Sequence, residues 1–120
     1  EGMHCYPNPG CDTSGLTLPV IEYDHNEGCA VIGGTRLRNS AYLQLEGRYM
    51  FADFCSGVIY AARAETNWQR EIVGHLPRMP TGFGVTPDGE LLIGSYGIGD
   101  AVLYRVTIVD TLFTDSFDDD

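Results

Sequence analysis

Three places in the sequence carry side chains whose types and spacing suit chemistry. His25 lies in YDHNEGC beside Asp24 and Glu27, where carboxylates can orient an imidazole or hold a cation through oxygen. The same residues also suit a polar rim loop in which Asp, His and Asn satisfy turn geometry. Arg36 and Arg38 alternate with Leu37, so on a strand both guanidinium groups project to the side opposite Leu37. There they could clamp a carboxylate through paired hydrogen bonds, with Glu46 and Asp53 as competing acids nearby. Asp53 itself sits in FADFCSG next to Cys55; a carboxylate buried there needs backbone donors or an arginine, and it more naturally ties down a turn than catalyses.

Other chemistries find no residues. There is no GxSxG elbow, the cysteine of CSG (55 to 57) is better explained as oxidised, and YGIGD lacks the lysine and helix of a phosphate loop. No residue is assigned as catalytic. Tyr49, Tyr60, Tyr96 and Tyr104 recur at strand positions and read as packing between sheets, and His75 has no evident partner.

The elements that position these groups are short. From Leu18 onward, β-branched and aromatic segments alternate with Gly, Asn, Asp and Pro, and no window shows helical spacing. The pattern predicts strands at about 30–38, 48–54, 57–64, 69–74, 82–86, 90–96 and 101–109, with TPDGE as a tight hairpin turn. The fold class is therefore all-β. GRYMFADFCSGVIY returns as GELLIGSYGIGDAVLY, with Gly47 and Gly89 leading the two copies and Tyr60 and Tyr104 closing them. A repeat of this length with four short strands per unit predicts about two four-stranded blades of a β-propeller. Residues 1–17 read as a connector loop, 18–110 as the blades and 111–120 as a solvated acidic tail. Propellers close with roughly four to eight blades, so two alone would expose apolar faces unless other blades come from another chain or from copies of this one.

Composition narrows the partners. Seven basic and seventeen acidic residues among 120 give a net charge of −10, which repels polyanions and makes nucleic acid an unsuitable partner. No apolar run approaches the ~18 residues of a membrane-spanning helix. The opening EGMHCYPNPGC has neither an initiator methionine nor a signal segment, as expected of a mature or cut chain. Four cysteines, Cys5, Cys11, Cys29 and Cys55, show no CxxC spacing and allow three pairings. Cys5 with Cys11 and Cys29 with Cys55 is preferred, because the first pair closes a turn-rich loop and the second staples neighbouring strands. Disulfides imply an oxidising location, secreted or periplasmic.

LPVIEYDHNEGCAVIGG, LQLEGRYMFADFCSGVIYAAR and GFGVTPDGELLIGSYG, the last followed by VLYRV, resemble in order and spacing the closing blades of the glucose/sorbosone dehydrogenase family, the soluble quinoprotein sugar dehydrogenases. The resemblance spans about Cys5 to Val106 and implies the last third of a six-bladed propeller in an exported protein. It also implies oxidation of aldoses with pyrroloquinoline quinone and calcium once the other blades are present, the base and principal calcium ligands lying in those blades. The quinoprotein members place arginines just before the PDG turn; here the corresponding stretch is RMPTGFGVTPDG, with Arg78 alone. The residues expected to line the channel and orient anionic cofactor groups are Arg36, Arg38, His25 and Arg78; metal ligands are unassigned. Relatives such as hedgehog-interacting protein keep this fold without that oxidation. The alternative expectation is thus a non-catalytic extracellular module that binds or assembles through exposed blade faces.

Overall fold

Strand-forming runs separated by glycine-led turns leave each strand only one short connection from the next, and the chain folds as a serial meander. The computed structural model describes residues 3, 10–12, 14–77, 79–97, 99–108 and 117–119. The first sheet comprises β1 (Val31–Arg36), β2 (Tyr49–Asp53), β3 (Val58–Ala62) and β4 (Glu71–His75). The second comprises β5 (Met79–Val85), β6 (Leu91–Gly97), β7 (Asp100–Val106) and β8 (Phe117–Asp119). Each is a four-stranded antiparallel sheet in sequence order, and no α-helix occurs among the described residues. The all-β expectation and the four-strand unit both hold.

Three boundaries differ from the sequence pattern. β1 stops at Arg36, so Arg38 lies beyond the strand. β5 starts at Met79 and includes Pro80; it is the edge of its sheet, where proline's missing N–H removes no ladder bond. Residues 117–119, expected in a solvated tail, instead pair with β7 from Tyr104 to Val106 and complete the second sheet.

The two central hairpins share one register. Phe51 pairs with Tyr60 as Ile93 pairs with Tyr104, and Ala52 pairs with Ile59 as Gly94 pairs with Leu103. Because side chains alternate between faces, each position in the first hairpin has an equivalent on the same face of the second. Met50, Ala52, Ile59, Ala61 and Val73 from the first sheet form one buried cluster with Leu91, Ile93, Tyr104 and Val106 from the second. That cluster is the core, and the two sheets stack face to face across it.

The connection from β1 to β2 locks the stack. Tyr42 is buried, its hydroxyl donates to the Val106 carbonyl at 2.7 Å and accepts from the Leu91 N–H at 2.8 Å, closing the end of the β6–β7 ladder. Ala41 N–H donates to Gly89 O at 3.0 Å. Gly89 has φ +87° and a Cβ there would lie 2.4 Å from the Asn39 carbonyl oxygen, so both conformation and proximity require glycine.

The other face of the first sheet is covered by residues preceding β1. Phe51, Tyr60 and Ala62 pack with Ile21, Tyr23, Tyr49, Val58 and Trp68. Phe51 stacks between Tyr49 and Tyr60, with ring centroids at 5.7 and 5.1 Å. Thus the two central strands of the first sheet are buried on both faces, whereas Tyr96 (56% exposed) and Leu103 (44%) stand on the open face of the second.

Candidate functional site

The most elaborate polar constellation is centred on Asp53, the last residue of β2, which is fully buried. Its Oδ1 accepts from Tyr23 Oη at 2.8 Å, Cys29 N at 2.8 Å and Ala30 N at 3.1 Å, and its Oδ2 accepts from Ser56 N at 2.7 Å. Burial alone would raise the pKa of this carboxyl. The donors of Ser56, Tyr23 and Ala30 outweigh it and hold the group at about 2, below its ordinary 3.8. Tyr23 is shifted the opposite way: burial and the bond to Asp53 both push its phenol up. A Cβ on Gly28 would lie 2.2 Å from Asp53 Oδ1, so the nest exists only because residue 28 is glycine. The Cys29–Cys55 disulfide joins the two segments that supply these donors. A carboxylate with this many fixed donors is a strut between the Gly28–Ala30 segment and the β2–β3 turn, and its lowered proton affinity makes it a weak base near neutral pH.

A second cluster is built around arginine. The Arg70 guanidinium lies 5.3 Å from the ring centroids of both Tyr23 and Tyr60, donates to the Glu22 carbonyl at 3.0 Å and pairs with Glu27. Arg48 pairs with Glu71. These bonds pin residues 21–27 and β4 to the same end of the first sheet.

The residues expected from sequence to form a cofactor site make these contacts in the fold. Arg36 Nε donates to the Gly47 carbonyl at 3.0 Å, and Arg38 is exposed beyond β1. Neither meets the acids expected to compete for them. Val31 pairs with Asp53 and Arg36 with Tyr49, so Arg36 and Asp53 are at opposite ends of the ladder. The Glu46 carboxylate instead accepts from Asn39 N at 3.0 Å and Ser40 N at 2.7 Å. His25 is exposed in a turn whose bonds come from Asp24: Asn26 N donates to Asp24 Oδ1 at 3.0 Å and Glu27 N to Asp24 O at 3.1 Å. Arg78 and Cys5 lie outside the described residues, so the Cys5–Cys11 pairing does too. Of the described candidates, then, Arg36 is engaged by a backbone carbonyl, while His25 and Arg38 are exposed. No group of three metal-ligating side chains arises among the described residues.

Sequence reasoning missed the covering role of Ile21 and Tyr23 and the ion-paired arginines just before β2 and β4. Their signal was available in the register: once Tyr49 faces Ala62 and Ala61 faces Glu71, Arg48, Arg63 and Arg70 fall at one end of three adjacent strands. No protein-family model matches the chain, and no solved structure matches it.

Proposed function

We propose that this chain contributes two adjacent blades to an extracellular β-propeller resembling the soluble quinoprotein sugar dehydrogenases, and that these blades bind and brace the assembly. Oxidation of aldoses with pyrroloquinoline quinone and calcium, where the assembly performs it, belongs to other blades. The observation that supports this reading is the order of stacking. The face the first sheet presents to the second carries Met50, Ala52, Ile59 and Ala61; the equivalent positions of the second sheet are Leu92, Gly94, Leu103 and Arg105, on its open side. The sheets therefore stack head to tail, and the second repeats the docking face of the first. Such heterologous contacts propagate until a ring closes.

The fitting occupant is another four-stranded sheet with an aromatic face like that of Phe51 and Tyr60. A second copy of this chain is a poor occupant, because its own Phe51–Tyr60 face is already covered by Ile21 and Tyr23. A surface-exposed disulfide between Cys29 and Cys55 supports an oxidising, extracellular setting.

Native mass spectrometry of material isolated from its natural source without reductant tests the proposal. The expected result is a complex with a larger companion polypeptide that Leu103→Asp abolishes. The single chain, or multiples of it alone, would overturn it.

A further inference from the structure

A cavity of about 240 Å³ opens at the end of the first sheet where three strands each end or begin with arginine: Arg48 before β2, Arg63 after β3 and Arg70 before β4. All seven basic residues of the chain are arginines, so nearly half of its positive side chains meet here, in a protein of net charge −10. Tyr49 pairs with Ala62, so Arg48 and Arg63 are like charges one step past the end of that ladder. Such juxtapositions are destabilising unless an anion intervenes.

Two of the three are neutralised from within, Arg48 by Glu71 and Arg70 by Glu27. Arg63 is half-buried, and its guanidinium has no partner among the described residues. The Arg48 side chain is only 13% exposed, and its Nε is buried without an acceptor among the described residues. Unsatisfied buried donors are uncommon and call for an acceptor. Thr66 and Gln69 add hydroxyl and amide groups to the wall. The backbone supports this shape at a cost: Asn67 and Trp68 have φ of 56° and 58°, a left-handed pair unfavourable for tryptophan, with Trp68 N donating back to the Arg63 carbonyl at 3.0 Å.

The repeat shows that the fold does not require these charges. Positions equivalent to Arg48 and Arg63 in the second hairpin are Glu90 and Thr107. The same backbone register thus forms without arginine at either place.

We propose that this cavity is a binding site for a small organic oxyanion, a hydroxylated molecule of monosaccharide size bearing one carboxylate or phosphate. The half-buried Arg63 guanidinium holds the anionic group, and Thr66 and Gln69 meet its hydroxyls. The volume, equal to that of roughly eight waters, admits such a ligand. The site is independent of whether further blades are present.

The test is titration of the full chain with sodium glucuronate, glucose 6-phosphate and glucose, followed by amide NMR and calorimetry. Both anions are expected to shift the amides of Ala62, Thr66 and Gln69, glucose to shift none, and the tighter anion to identify the carboxylate or phosphate as the preferred group. Arg63→Ala is expected to weaken binding by about tenfold or more with an unchanged melting temperature, since that guanidinium makes no bond within the described chain. Arg63→Lys should recover part of the loss. Shifts confined to other regions, equal binding of glucose, or unchanged affinity in Arg63→Ala would overturn the assignment.

Discussion

The two sheets are the same hairpin built twice, yet they live in different surroundings. In the first, both faces of the central strands are covered and the turn after β2 is anchored by a buried carboxylate and a disulfide. In the second, one face is open, and the position equivalent to Asp53 is Ser95, whose buried Oγ has no partner among the described residues. Identical register has not produced identical energetics. What covers a face, and what reaches into its turn, decides which side chains carry stability and which stand ready for a partner.

The largest expected effect lies at Asp53. Asp53→Ala leaves three N–H groups and one phenol without their acceptor in a buried place, and the expected loss in urea unfolding is about 4 kcal/mol or more. The pH dependence has a definite sign. The folded-state pKa of about 2 lies below the ordinary 3.8, so the stabilisation is complete above about pH 4 and is lost as pH falls through 2. Asp53→Asn should lack that slope. An unfolding free energy of wild type that is flat across this window would show that the nest is not the first sheet's anchor.

Next comes the disulfide, which only the first sheet's turn possesses among the described residues. Cys29 and Cys55 are 26 apart in sequence, and opening that loop by the Cys29→Ser, Cys55→Ser double substitution should lower stability by roughly 3 to 4 kcal/mol. The loss should shrink in the Asp53→Ala background, since both devices hold the same segments together. Strict additivity would mean that they act on separate parts of the fold.

The third comparison uses equivalent residues directly. Ile59 is buried between the sheets and Leu103 is its exposed counterpart, so truncation should separate them. Ile59→Ala is expected to cost about 3 kcal/mol in the isolated chain, against less than about 1 kcal/mol for Leu103→Ala. In the proposed assembly the second value should rise toward the first. Equal costs in the isolated chain would remove the distinction between covered and open faces.

Much of this architecture was legible because the repeat is written in residue types that sheets demand. Gly47 and Gly89, the Phe51–Tyr60 and Ile93–Tyr104 pairs and the alternation around them fix strand identity and register together. The bond between Cys29 and Cys55 followed from the same placement. The candidate site was less legible, for physical reasons. His25 and the Arg36/Arg38 pair look chemical in sequence because polar spacing near a strand says nothing about convergence. In the fold Arg36 spends its donor on a backbone carbonyl and His25 faces solvent. The Gly28–Asp53 approach depends on a contact between segments far apart in sequence, and no local pattern encodes it. Arg48, Arg63 and Arg70 become one group only after three strands are laid side by side.

The smallest expected effect is also the sharpest test of the difference between the two turns. Ser95 and Asp53 occupy equivalent positions, but the carboxylate has four donors and the Ser95 hydroxyl has no bond among the described residues. Removing an unsatisfied buried hydroxyl eliminates a desolvated polar atom and breaks nothing, so Ser95→Ala should leave stability unchanged or raise it by about 0.5 to 1 kcal/mol. The opposite signs of Ser95→Ala and Asp53→Ala at matching positions would show that the repeat conserves geometry while each sheet supplies its own polar chemistry. A loss above about 1 kcal/mol for Ser95→Ala would mean that the second turn has an anchor of its own, and the contrast between the sheets would then rest on their open and covered faces alone.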